Sequence, residues 1–137
     1  MRRAAAVGAE HWVDALPDGL ATVVGEGGHP LTTTQAQQLA LARVALAGTP
    51  IVVLDEATAE AGSAGARELE RSADAATAGR TTLVVAHRLT QAAAADRVVV
   101  VDDGHIVEDG PHAKLATSTG PYAALWAAWS TSRQPDR

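Results

Sequence analysis

Apolar positions along this chain fall into two kinds of run. Ile51-Val52-Val53-Leu54 is continuous and ends abruptly on two carboxylates, Asp55 and Glu56. Thr81-Thr82-Leu83-Val84-Val85-Ala86 is similar and delivers His87. Continuous runs of this length suit strands buried in a parallel sheet, whose carboxyl ends are where ligands bind in open α/β folds. Asp96-Arg97-Val98-Val99-Val100-Val101 is a third apolar strand, Asp103-Gly104 a hairpin turn signal, and His105-Ile106-Val107-Glu108 the return strand.

The other runs are helical. Residues 4–15 read as a helix tail closed by the turn cluster Leu16-Pro17-Asp18-Gly19. Leu20 to Val24 is short and extended, and residues 25–30 form a glycine-rich loop. Thr34-Gln35-Ala36-Gln37 fits a capping box with Thr34 at the N-cap and Gln37 at the third helical position. Leu39, Ala42 and Leu46 then share one helical face, and Gly48-Thr49-Pro50 stops the helix. Gly62-Ser63 opens a second helix, with Arg67–Glu70 and Glu68–Arg71 as surface pairs, and Gly79-Arg80 ends it. Pro111 and the Ala-rich segment through Trp129 predict short terminal helices, the last packed by Trp126 and Trp129. Ser132 to Arg137 is a polar tail. The strand–helix–strand order predicts an α/β fold with parallel strands, flanking helices and an antiparallel edge hairpin.

Composition narrows the function classes. The 137 residues suffice for one domain with a core. A formal net charge of −5 gives no nucleic-acid footprint. With no cysteine there is no disulfide framework and no thiolate metal site. No apolar run approaches the roughly 18–20 residues that cross a bilayer. Glu10 and His11 interrupt the start too early for a signal peptide. Aromatic content is 3% with no Phe, so Ala, Val, Leu and Ile must build the core.

An acid pair and an imidazole at the ends of two such strands point to phosphate or metal chemistry. Each feature also has a plainer reading. Carboxylates after a strand cap the next helix, a lone histidine there is structural, and a threonine run is a helix cap. His11, His29, His105 and His112 have no ligand spacing and read as surface or loop residues.

Taken together, residues 10–130 resemble the C-terminal part of the nucleotide-binding domain of ABC transporters, of the exporter type, an incomplete P-loop NTPase-like fold. Ile51 to Glu56 matches the Walker B strand, and Leu31-Thr32-Thr33-Thr34-Gln35 stands where the family carries Leu-Ser-Gly-Gly-Gln. His87 in Ala86-His87-Arg88-Leu89 matches the switch histidine. Val24-Gly25-Glu26-Gly27 resembles the exporter loop that meets the membrane domain, and residues 103–110 the closing hairpin. On this resemblance residues 1–130 form one partial ATPase domain, followed by a tail at 131–137. It implies ATP and Mg²⁺ as cofactors of the complete domain. Asp55 would bind the metal through water, Glu56 would polarise the attacking water, and His87 would contact the γ-phosphate. Thr32, Thr33, Thr34 and Gln35 would face the γ-phosphate held by an opposite subunit. The implied partners are a transmembrane domain and a second, heterodimeric nucleotide-binding domain, with no nucleic acid. The implied location is the cytoplasmic face of the plasma membrane.

Three departures qualify the resemblance. Lys114 is the only lysine and Ala113 precedes it, so the loop G-x-x-x-x-G-K-[ST] is missing. Thr33 and Thr34 replace glycines with β-branched residues, which weakens close approach to phosphate. Ala59-Glu60-Ala61-Gly62 lacks the aspartate of the family's D-loop. The isolated chain is therefore expected to be inactive, and to expose apolar sheet surface and an unpaired edge. The alternatives are a non-catalytic module complementing a partner that bears the P-loop, and a fragment of a DNA-repair or chromosome-type ATPase of the same layout.

Overall fold

The computed structural model describes residues 7–55 and 63–132. The chain forms two units, residues 1–85 and 86–137.

The first unit begins with a helix of one turn, α1 (Glu10–Val13), shorter than the expected 4–15. Gly19–Ala21 is a 3-10 turn rather than extended chain. Val24 and His29 then bridge across a glycine turn in which Gly25 N–H donates to the His29 carbonyl at 3.2 Å.

Helix α2 (Thr33–Ala47) starts earlier than the spacing suggested. Thr-x-x-Gln occurs twice in overlap, and the structure uses Thr32 and Gln35 rather than Thr34 and Gln37. Leu31 packs against the core, so the chain must turn into the helix directly after it. The buried stripe is Gln38, Leu41, Ala42 and Ala45, an i, i+3, i+4, i+7 set. It shares only Ala42 with the expected face, and Leu46 is 65% exposed. Gly48 ends the helix at φ 66°, a left-handed value that favours glycine. Arg80 donates to the carbonyls of Val44 (2.9 Å) and Ala45 (3.1 Å), placing a cation at the negative end of α2.

Strand β1 (Ile51–Leu54), helix α3 (Ser63–Thr77) and strand β2 (Thr81–Val84) form a parallel crossover unit. The register pairs Ile51 with Thr81 and Leu54 with Val84. Val52 and Leu54 are buried with Leu41, Ala45, Leu69, Ala73 and Ala76 in one apolar core. The expectation of two fully buried strands fails. Ile51 is 64%, Val53 61% and Leu83 60% exposed. Helices α2 and α3 pack on each other and on the Val52–Leu54 face. On α3, Glu68 accepts a hydrogen bond from Gln38 and Arg71 Nε donates to the Arg67 carbonyl, in place of the expected Glu68–Arg71 pair.

The second unit comprises α4 (Leu89–Ala94), β3 (Val98–Asp102), β4 (His105–Gly110), α5 (His112–Leu115) and α6 (Pro121–Ser132). The hairpin β3–β4 is its own two-stranded sheet among the described residues. Asp103 (φ 44°) and Gly104 (φ 75°) both take left-handed values at its turn, matching the right-handed twist of the strands. A register shift after Val100 places one extra residue, Val107, on β4. Val98, Leu115 and Tyr122 form a small core. Glu108 fastens α6 to the hairpin, accepting the Tyr122 N–H at 2.7 Å and the Ser118 hydroxyl at 3.3 Å. Burial raises the Tyr122 phenol above its ordinary pKa. Arg97 pairs with Asp109 across the strands and lowers that carboxyl below its ordinary value. His112 is not a bare surface residue. Its Nδ1 is 2.9 Å from the Tyr122 hydroxyl, and its ring meets Trp126 edge-on with centroids 4.4 Å apart.

Leu69 has no exposed surface and sits where α3 meets the sheet and α2. Leu69→Ala is expected to cost about 2–5 kcal/mol, the range for a leucine cavity that cannot collapse. Urea unfolding should show this as a lower midpoint at unchanged slope. A loss under about 1 kcal/mol would mean that this core is not close-packed.

Candidate functional site

The parallel pairing sends β1 and β2 out of the same end of their sheet. The Val85 N–H donates to the Leu54 carbonyl at 2.9 Å, so the two chains stay paired up to the first residue past each strand. Asp55 leaves β1 at that end, solvent-exposed. It borders a cleft of about 270 Å³ walled by Gln37, Ala40, Leu41, Val44, Val53 and Leu54. The cleft is largely apolar, and its polar groups are Asp55 and the Gln37 amide. Glu56 and the whole Ala59–Gly62 segment lie outside the described residues. His87 belongs to the second unit, where it is exposed and precedes α4 by one residue.

The threonine run is built by the α2 cap. Thr32 is extended (φ −67°, ψ 161°), and its Oγ1 accepts the Gln35 N–H at 3.2 Å. The Gln35 side-chain oxygen accepts the Thr32 N–H at 2.9 Å. The first backbone bond of the helix runs from Ala36 to the Thr32 carbonyl at 2.9 Å. A helix leaves its first N–H groups without intrahelical partners. The box closes two donors and leaves those of Thr33 and Thr34 for an outside acceptor, at the positive end of the helix dipole. Both threonines are helical, and their branched side chains stand where glycine would present bare backbone.

A metal ion held by protein alone would need several oxygen or nitrogen ligands together. No group of three or more His, Cys, Asp or Glu is assembled among the described residues. Asp55 would supply a single carboxylate, which is enough only for a Mg²⁺ that keeps most of its waters. The lone lysine, Lys114, lies on α5 in the second unit, so no phosphate-cradling loop is present to be filled. No described helix is long and apolar enough to cross a membrane.

Residue patterns missed one polar centre. Gln38 is 1% exposed, accepts the Trp12 indole N–H at 2.8 Å and donates to Glu68 at 3.0 Å. The available signal was a glutamine at a core position of an Ala/Leu helix, where an unpartnered amide is costly.

A strand-end carboxylate and a capped helix start recur in many α/β proteins, and comparison with known proteins narrows the class. The chain is 45% identical over 127 residues to the ATP-dependent lipid A-core flippase of Thiobacillus denitrificans, covering 91% of this chain and 22% of the relative. It is 42% identical over 134 residues to the flippase of the same description from Pseudomonas aeruginosa, covering 98% of this chain and 22% of the relative. Its fold matches a bacterial Atm1-family ABC exporter solved with ATP bound, at a TM-score of 0.82 and 31% identity, over 98% of this chain and 23% of that one. No protein-family model matches. The chain thus corresponds to the C-terminal part of an ABC-exporter nucleotide-binding domain, and spans about a fifth of the length of the relatives it matches.

Thr32→Ala removes the cap acceptor and leaves the Gln35 N–H unpaired. The expected loss is about 1 kcal/mol, with fraying of the first turn of α2. Circular dichroism and denaturant titration measure it; an unchanged stability would mean the capping box is not formed in solution.

Proposed function

We propose that this chain is the C-terminal part of the ATP-hydrolysing subunit of an exporter, completed by a P-loop polypeptide outside these residues. The observation that carries the reading is Asp55 at the carboxyl end of a parallel strand pair, in a chain 45% identical to an ATP-dependent flippase. Asp55 would hold a Mg²⁺ through its waters, Glu56 would polarise the attacking water, and His87 would contact the γ-phosphate. Mg²⁺, when bound, neutralises phosphate charge. The Thr33 and Thr34 N–H groups meet the γ-phosphate held by the opposite nucleotide-binding domain. Their β-branched side chains weaken that contact, which favours a heterodimer with one strong and one weak site. The Val24–Gly27 turn meets the membrane domain, and the subunit sits on the cytoplasmic membrane face through its transporter.

A second reading shares the same chemistry but not the same independence. The bare Ile51, Val53 and Leu83 face favours a complementation module, stable and active only once its partner covers the sheet. Acidic charge disfavours the DNA-directed alternative.

The isolated chain is expected to show no appreciable ATPase activity, because the phosphate cradle supplies most anion contacts. Co-expressed with the N-terminal, P-loop-bearing part of such a domain, it should support Mg-dependent turnover that falls about 10²-fold or more in Glu56→Gln. Turnover by the chain alone that disappears in Glu56→Gln overturns the proposal. So does a complemented activity that this substitution leaves intact.

A further inference from the structure

The geometry points to Gln38 as a positioning residue that pins the neck of a 25-residue excursion, residues 13–37, which carries both the glycine turn and the threonine turn. Its functional meaning rests on the reading above; its structural content does not.

The excursion leaves the core at Trp12 and returns at Gln38. The two side chains are joined across that gap by a buried hydrogen bond, Trp12 Nε1–H to Gln38 Oε1, 2.8 Å. The amide orientation is dictated by its partners. An indole N–H only donates and the Glu68 carboxylate only accepts, so the oxygen must face Trp12 and the nitrogen Glu68 (3.0 Å). The same nitrogen lies 3.4 Å from the Val7 carbonyl, which Ser72 Oγ also binds at 2.7 Å. One neutral amide therefore joins the residue-7 segment, α1, α2 and α3. With Glu68 as the acceptor, a carboxamide supplies both the acceptor and the donor needed at position 38, where a carboxylate could not donate and a cation could not accept.

Backbone bonds step from α1 through Leu16 and Gly19 to Thr22, and a separate set closes the Val23–His29 turn that follows directly in the chain. Val13, Leu16 and Leu31 pack on the core at its two roots. Gly28 leaves no room for a side chain against the Val23 backbone. Three residues before Gln38, Gln35 closes the threonine cap. A shift at the neck is therefore felt at both turns, the two places where the excursion would meet other subunits.

Hydrogen exchange on the full chain tests this without nucleotide. Trp12→Phe keeps an aromatic ring and removes the donor. The amides of Gly25, His29, Gln35 and Ala36 should then exchange about tenfold faster together, while that of Val85 in the sheet is unchanged. Gln38→Glu sets two carboxylates against each other and should do the same. Gln38→Glu with Glu68→Gln restores a donor facing an acceptor, and should return all four amides to within about twofold of the parent. Faster exchange at only one turn overturns the pinning role. So does a swapped pair that folds by circular dichroism yet fails to recover. If Trp12→Phe does not fold, the swap alone decides by the same criterion. An inactive complemented ATPase with intact coupling would sink the functional reading and leave the pin standing.

Discussion

A parallel strand pair cannot be closed by a tight turn; the chain must cross over, and the crossover must be covered. That constraint organises the first unit. Between Leu54 and Thr81 the chain builds α3, whose Leu69, Ala73 and Ala76 bury the Val52–Leu54 face. Helix α2 shares that core through Leu41 and Ala45, two positions four apart on one stripe. Small residues let α2 and α3 lie close, and Arg80 locks the exit of α3 to the last turn of α2. The same arrangement puts Asp55 at the open end of the sheet and leaves Ile51, Val53 and Leu83 facing outward.

That outward face explains the main contrast with the sequence. Ile51 to Leu54 and Thr81 to Val84 read as buried because continuous β-branched runs are selected by two-sided coverage. The strands, their direction and Asp55 at a carboxyl end were legible from that pattern. Their burial was not: Ile51, Val53 and Leu83 stay exposed, in a chain that matches about a fifth of its relatives' length.

Helix faces were less legible for a different reason. Thr-x-x-Gln occurs at 32–35 and again at 34–37, and both satisfy capping chemistry. Leu31 decides between them by packing in the core, and the two-residue shift rotates the stripe from Leu39 and Leu46 to Leu41 and Ala45. Periodicity in an Ala-rich helix is weak, because alanine fits either face. Of the candidate site, Asp55 and the Thr32–Gln35 turn lie where the motif order put them, on a strand end and a helix start. Pairing among side chains was invisible: Glu68 turns inward to Gln38, and His112 joins Tyr122 and Trp126, choices made by tertiary neighbours rather than by spacing.

The division of chemistry follows from where rigid backbone is available. The carboxylate needs only a strand end, which two paired strands supply. The phosphate contact needs a helix start with free N–H groups, and a helix start is defined by its cap and by what anchors the chain before it. In this chain the anchor is double: Leu31 in the core and the amide of Gln38 one turn inside the helix. A phosphate cradle needs a glycine loop followed by a helix carrying lysine, and with Lys114 the only lysine, on α5, no residue of this chain can take that part. Asp55 on its strand end and the Thr32–Gln35 helix start are thus both built on local structure of the first unit, while the lysine-bearing loop has no counterpart in the sequence.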